Sequence, residues 1–193
     1  MTAAARVDGR HARAARTREA IVSAVLELVA ERGVAPTGVQ IAERAGVALR
    51  SIGQHFASRE ELLLAAAEVH TREVARTAKP VDPALPLAAR VTAFAAARAK
   101  ELEATAAVRR ASIRFEATSP SVAEAFALVA RARRKVAAKV FAGEVRERPE
   151  LVDLLDVVTS ARAWDAMRHD QGHSAPIAEK RMAALMRAVL TAR

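Results

Sequence analysis

Apolar residues recur along the chain at intervals of three and four and nowhere alternate for long with period two. That spacing gathers them on one face of a helix and predicts an all-α fold. Ile21, Val25, Leu28 and Val29 make the first stripe, on a helix expected from about residue 16 to Arg32 and stopped by Gly33. Thr37-Gly38-Val39-Gln40 has the form of a capping box: the Thr37 hydroxyl accepts from the amide three residues on, and Gln40 reaches back. It opens a helix of barely two turns that carries Ile41, Ala42 and Ala45 inward. Gly46 ends it, at a place where a positive φ is easily accommodated. A second short helix is expected from about Leu49 to Phe56, with Ile52 and Phe56 as its apolar pair. Ser58-Arg59-Glu60-Glu61 is a further capping box and starts a helix reaching about Ala78.

Pro80, Pro83 and Pro86 then interrupt the pattern and read as a boundary between two domains. Five helices are expected beyond it, at 85–104, 106–117, 121–146, 150–169 and 177–191, which makes about nine in all. Residues 1–15 hold Arg6, Arg10, His11 and Arg13 among small residues, with Asp8 the only acid. No apolar stripe runs through them, so they read as a flexible basic arm.

A chain of 193 residues is long enough to bury a core without staples. It has no cysteine, which excludes disulfides, thiolate metal sites and cysteine nucleophiles and fits a reducing cytoplasm. The longest apolar runs, such as Leu62 to Ala67 and Val91 to Ala97, fall short of the ~20 residues that span a bilayer. No apolar segment follows the arginine-rich start in the manner of a signal peptide, so a cytoplasmic protein with no membrane contact is expected. The net charge of +9 makes a polyanion the expected partner, with nucleic acid the first candidate. The excess of arginine over lysine fits a GC-rich genome equally well, and a basic face is often only a solvated one.

Enzyme chemistry finds no support. The histidines lack convincing partner carboxylates, no glycine-rich phosphate loop occurs, and neither a catalytic residue nor a cofactor is expected. Asp165, His169 and His173 have the i, i+4 spacing of a metal site, but Gly172 breaks the helix between the two histidines. The segment reads as a loop, and no metal is expected. Arg131, Arg133, Arg134, Lys135 and Lys139 form a basic run that reads as a solvated face.

Two short helices joined across a glycine, between longer apolar-faced helices, are the signature of a helix-turn-helix. Its second helix must project to enter a major groove about 12 Å wide, so its outward residues are polar while Ile52 and Phe56 anchor it behind. An ordinary helical corner shares the same pattern. Here the flanking blocks add to it: Thr17-Arg18-Glu19-Ala20-Ile21, Glu31-Arg32-Gly33, Ile41-Ala42-Glu43-Arg44-Ala45-Gly46-Val47, His55-Phe56 and Ser58-Arg59-Glu60-Glu61-Leu62. In order and nearly in spacing, they resemble the DNA-binding domain of the TetR family of transcriptional regulators, over about the first 65 residues. Gly9-Arg10-His11-Ala12-Arg13 and Arg50-Ser51 resemble an arginine-rich, actinobacterial-like branch of it.

The resemblance implies an N-terminal three-helix DNA-binding domain over 16–60 and a ligand-binding and dimerisation domain over 61–193. It implies that Ala48, Leu49, Arg50, Ser51, Gln54 and His55 face double-stranded DNA, with Arg50 suited to guanine and Gln54 to adenine. Thr37 and Arg59, each at the start of a helix, sit where phosphate is favoured, and Arg6, Arg10 and Arg13 of the arm would follow the backbone or enter the minor groove.

Three departures from the family pattern matter. Ala48 stands where a serine or threonine caps the recognition helix, and Gly53 where a bulky aromatic is usual; each costs about 1 kcal/mol of helix stability. The loop from Gly33 to Gln40 is one residue short. A recognition helix that frays when free and is ordered by its operator is expected.

In the C-terminal region Phe94, Phe115, Phe126, Trp164 and Met167 read first as plain core, and Arg98 as a salt-bridge residue. The resemblance makes them the candidate lining of a pocket for a small-molecule effector. Two apolar stripes, Leu151, Leu154, Leu155 and Val158, then Met182, Leu185, Val189 and Leu190, are candidates for a homodimer interface or for burial within one chain. Two-fold symmetry would set two recognition helices about 34 Å apart on a palindromic operator. The function implied is a repressor released from DNA by its effector.

Overall fold

The structure, a computed structural model, describes residues 3–113 and 115–192, without the side chains of residues 3–8 and 10. All regular structure among them is helical: α1 (Ala3–Arg32), α2 (Gly38–Ala45), α3 (Leu49–His55), α4 (Arg59–Thr77), α5 (Leu87–Ile113), α6 (Pro120–Val140), α7 (Ala142–Glu147), α8 (Leu151–Val158), α9 (Ala161–Asp165) and α10 (Ala175–Thr191), with a π-helical turn at Ala166–Asp170. The chain forms two compact units, one of Met1–Glu73 with Thr105–Ala123, the other of Val74–Ala104 with Glu124–Arg193. The division falls inside α4, α5 and α6, and places residues 105–123 with the N-terminal unit rather than the C-terminal one.

Several helix ends differ from the sequence expectation, each for a local reason. The segment 1–15, expected as a flexible arm, is helical from Ala3, because its alanines and arginines are strong helix formers that outweigh the single Gly9, and it holds no proline. Helices expected at 85–104 and 106–117 are one, since the residues around Thr105 include no breaker. The helix expected over 150–169 is broken instead. The Thr159 hydroxyl turns back to the Leu155 carbonyl at 2.7 Å, and the Ser160 hydroxyl accepts from the Ala163 amide at 3.0 Å, ending α8 and capping α9.

In the first unit, α1 lays Ile21, Val25, Leu28 and Val29 against Ile41 of α2, Phe56 after α3, Leu62, Leu63 and Ala66 of α4 and Val108 and Ala111 of α5. The core of the second unit gathers around Trp164, Phe141, Met182 and Met186, all essentially without solvent exposure. The rings of Phe94 and Phe141 meet there at 5.5 Å. The two stripes of α8 and α10 divide: Leu151, Leu155, Met182 and Leu190 join this core, while Leu154 and Leu185 remain exposed.

Three charged side chains knit the second unit together. Arg90 on α5 donates to the Leu85 and Val140 carbonyls, both at 2.9 Å, and pairs in bidentate fashion with Glu144 at 2.7 and 2.9 Å. It thereby fixes the α6–α7 junction onto α5. Arg98, 6% exposed, donates to the Thr159 carbonyl at 2.9 Å and pairs with Glu101 at 2.7 Å, so it closes the end of α8 from within the core. Glu103 accepts from the Trp164 indole at 2.8 Å and from Arg168 at 2.9 Å. Within the basic run, Arg133 pairs with Asp156 and Arg134 with Asp153, so these two are bound to α8 rather than merely solvated.

The Arg90 guanidinium holds the Glu144 carboxyl below its usual value of 4.5, and Arg168 does the same to Glu103. A carboxyl depressed in the folded state contributes stability that is full above the unfolded value and is lost as pH falls through the folded one. Glu144→Gln should therefore cost about 2 kcal/mol at pH 7. Urea unfolding at pH 7 and in the acid range below 4.5 should show a smaller loss on acidification for this variant than for the wild type.

Candidate nucleic-acid interface

The helix-turn-helix is built by two consecutive caps. Thr37 Oγ1 accepts from the Gln40 amide at 3.3 Å while the Thr37 amide donates to Gln40 Oε1 at 2.9 Å, so both halves of the capping box at the start of α2 are formed. At the other end Gly46 adopts φ 66°, its amide meets the Glu43 carbonyl at 3.3 Å, and the Val47 amide meets that of Ala42 at 3.0 Å. This is the Schellman arrangement, which needs a left-handed residue and so favours glycine here. Val47 then packs on the core and the chain leaves for α3.

An ion-pair clamp holds α2 to α1. Arg44 reaches Glu31 through two bonds of 2.8 and 2.9 Å and Glu27 through a third of 3.2 Å. The Arg44 guanidinium keeps the Glu31 carboxyl below its usual range. Gly38 at the head of α2 lies beside the Leu49 side chain: a Cβ there would stand 3.1 Å from Leu49 Cδ1.

The α3 helix is fastened far less. Ala48 at its N-cap position has extended backbone and no side-chain bond to the helix, as the sequence predicts, and no residue between Leu49 and His55 is buried. Ile52 packs partly on the core, and the buried Phe56 anchors the C-terminal end. The Arg18 guanidinium of α1 lies 4.1 Å from the centre of the Phe56 ring. Ala48, Leu49, Arg50 and Gln54 are exposed, while Ser51 and His55 are half-buried. Open space surrounds Gly53.

Other expected DNA-facing residues have second occupations. Thr37 is exposed, but its hydroxyl already caps α2. Arg59 Nη2 donates to the Ala35 and Pro36 carbonyls at 3.0 and 2.9 Å, which ties the short loop before α2 to the start of α4. Arg13 is exposed on α1; the side chains of Arg6 and Arg10 lie outside the described residues. The Ser58 hydroxyl accepts from the Glu61 amide at 3.1 Å, but Glu61 reaches back to Ala57, one residue before the cap, at 2.7 Å.

Of the expected pocket residues, Phe94, Trp164 and Met167 belong to one core in the second unit, with the buried Arg98 beside them in the same helix as Phe94. Phe126 is half-buried in that unit. Phe115 is not brought to them; it packs against the core of the first unit. Arg44, Arg18 and Glu103 carry structural roles that the sequence pattern did not disclose. Their partners are remote in sequence, and no local spacing announces them. Among the described residues, no group of three or more His, Asp or Glu side chains is placed to hold a metal.

A capped helix, a left-handed glycine turn and an exposed second helix, set in an all-α chain, define a helix-turn-helix protein. Residues 21–66, within the first unit, match the family model of the bacterial regulatory proteins, tetR family. A transcriptional regulator from Rhodococcus sp. Rha1 has a similar fold, with a TM-score of 0.72, 21% identity, and coverage of 90% of this chain and 95% of that one. No curated protein matches the chain in sequence.

The bare N-cap and the open glycine predict a gain from repair. Ala48→Ser and Gly53→Ala should each raise stability by about 1 kcal/mol. Thermal unfolding should show a raised Tm for each variant, and hydrogen exchange should show slower exchange of amides 50–55. Thr37→Ala should move stability the other way, by about 1 kcal/mol.

Proposed function

We propose that the chain is a DNA-binding transcriptional regulator, and that it acts as a repressor which a small-molecule effector releases from a palindromic operator. The observation that carries the reading is the exposed face of α3, where Arg50 and Gln54 stand clear of the domain behind two anchors, Ile52 and Phe56. Arg50 has the donors for a bidentate contact to guanine and Gln54 the pair suited to adenine. Selection of bound fragments from the source genome tests this and yields the operator. On that operator Arg50→Ala should weaken binding by 1–3 kcal/mol, roughly, and relax preference at one base pair. Equal weakening on all DNA would make Arg50 a phosphate contact instead.

The functional assembly is a homodimer, so that two α3 helices occupy successive grooves about 34 Å apart. Its interface is formed by the outward sides of α8 and α10. They leave Leu154 and Val157, 47% and 66% exposed, and Ile177 and Leu185 without cover in one chain. Leu185→Glu should convert the dimer to a monomer in light scattering at unchanged helix content, and weaken operator binding with it. An unchanged mass would remove this face from the interface.

The effector site belongs to the second unit, where Phe94, Trp164 and Met167 supply apolar surface and Arg98 a buried cation. Binding there lifts repression to the extent that the effector prefers the state with its reading heads out of register. The protein acts in the cytoplasm and is no enzyme. Among the described residues no helix is long and apolar enough to cross a membrane.

A further inference from the structure

The exposed side of α3 holds two kinds of residue, and their phase keeps them apart. At 3.6 residues per turn, Arg50 and Gln54 fall about 40° from each other, on one line along the helix. Leu49 and Gly53 fall on a second line, roughly 100° round, between the polar line and the inward Ile52. The polar line carries the hydrogen-bonding groups suited to guanine and adenine. The second line carries none.

Leu49 is 55% exposed in the first turn of α3, the turn whose residues reach base edges when such a helix lies in a major groove. A lone exposed leucine needs no explanation in itself. Two glycines single this one out. The Leu49 Cδ1 methyl lies beside Gly38, 3.1 Å from where a Cβ would stand, so a larger residue at the head of α2 would press on this side chain. Gly53, one turn along α3, carries no side chain, and a Cβ there would meet nothing within 4 Å. One glycine leaves room for the leucine. The other leaves the surface next to it bare, so that the backbone of another molecule can come close.

The major groove offers one group suited to such a surface. Among the four standard bases only thymine carries a methyl group, on C5, and it projects at the side of the groove towards its own strand. A leucine on the flank of a helix whose crest carries Arg50 and Gln54 faces that side. We infer that Leu49 reads the 5-methyl group of a thymine close to the guanine taken by Arg50. This rests on the DNA-binding reading and adds a different kind of selection to it. Arginine and glutamine select by hydrogen bonds. Leu49 selects by shielding a methyl group from water, so it separates thymine from cytosine and also from uracil, which pairs identically.

The test is selection of duplexes bound by the full chain from two random libraries, one containing thymine and one containing uracil in its place. The thymine library should yield a motif with a fixed thymine in each half-site, and that preference should vanish in the uracil library. Uracil at that position should raise Kd about fourfold per half-site, the worth of one buried methyl group. 5-Methylcytosine there should bind more tightly than cytosine. Leu49→Ala should bind the thymine and uracil forms equally, while Leu49→Met, with an apolar chain of similar reach, should keep the preference. Equal wild-type affinity for thymine and uracil at every position overturns the inference and leaves the regulator reading standing. So does a Leu49→Ala variant that keeps the thymine preference at reduced affinity, which would give Leu49 a part in holding α3 instead. Loss of all binding by Leu49→Ala at unchanged helix content overturns it too, because a methyl contact cannot carry that much. Enrichment of no sequence by the wild type from either library overturns the DNA-binding reading and this inference together.

Discussion

The turn at Gly46 is the constraint on which the N-terminal unit depends. One residue with positive φ allows the amides of Gly46 and Val47 to close the carbonyls left open at the end of α2, and the same turn sets the direction in which α3 departs. The exposed face of α3 on which the proposed reading depends lies downstream of that angle. The fold protects it from behind: α2 is capped at its start by Thr37 and Gln40 and clamped to α1 by Arg44 on Glu31 and Glu27. A tilt of α2 would carry α3 with it. The firmly held part of the motif is therefore its first helix, and α3 takes its position from it.

This division of labour accounts for the contrast between the two short helices. In α2, Ile41 and Ala42 are buried and both ends are satisfied by side chain or turn. In α3 nothing between its ends is buried, the N-cap side chain is a methyl group and a glycine occupies the interior. On the proposed function, surface offered to a groove cannot also pack on the core, so stability and readout compete for the same few residues. The exposed face of α3 is kept free of the core, and the anchors retreat to Ile52 and to Phe56 under Arg18.

The second unit is organised by a different principle. Its helices are rich in alanine, which packs closely but offers little area per residue, and the long-range fastening falls to charged side chains that reach backbone carbonyls. Arg90 holds the α6–α7 junction, Arg98 closes α8, and Arg148 donates to the Leu190 carbonyl at 2.7 Å and also to that of Ala192 at the end of α10. Each cation meets the negative end of a helix or a kink where carbonyls are left open. The abundance of arginine thus has internal uses as well as external ones, and net charge alone overstates how much of it is free for a polyanion.

What the sequence determined by itself was whatever depends on neighbours within a few residues. Capping at Thr37, the glycine turn, the missing cap at Ala48 and the apolar phase of α1 are all local, and each is found as expected. The helical state of residues 3–15 was equally local but was obscured by charge, because a basic segment without an apolar stripe resembles a solvated tail. Tertiary structure alone decided the rest. Residues 105–123 join the first unit, Phe115 parts from Phe94 and Trp164, and Arg59 is drawn to the loop before α2. Only one residue of each stripe, Leu154 on α8 and Leu185 on α10, is left outside. Periodicity says which side of a helix is apolar, but it carries no information about which distant helix arrives to cover that side.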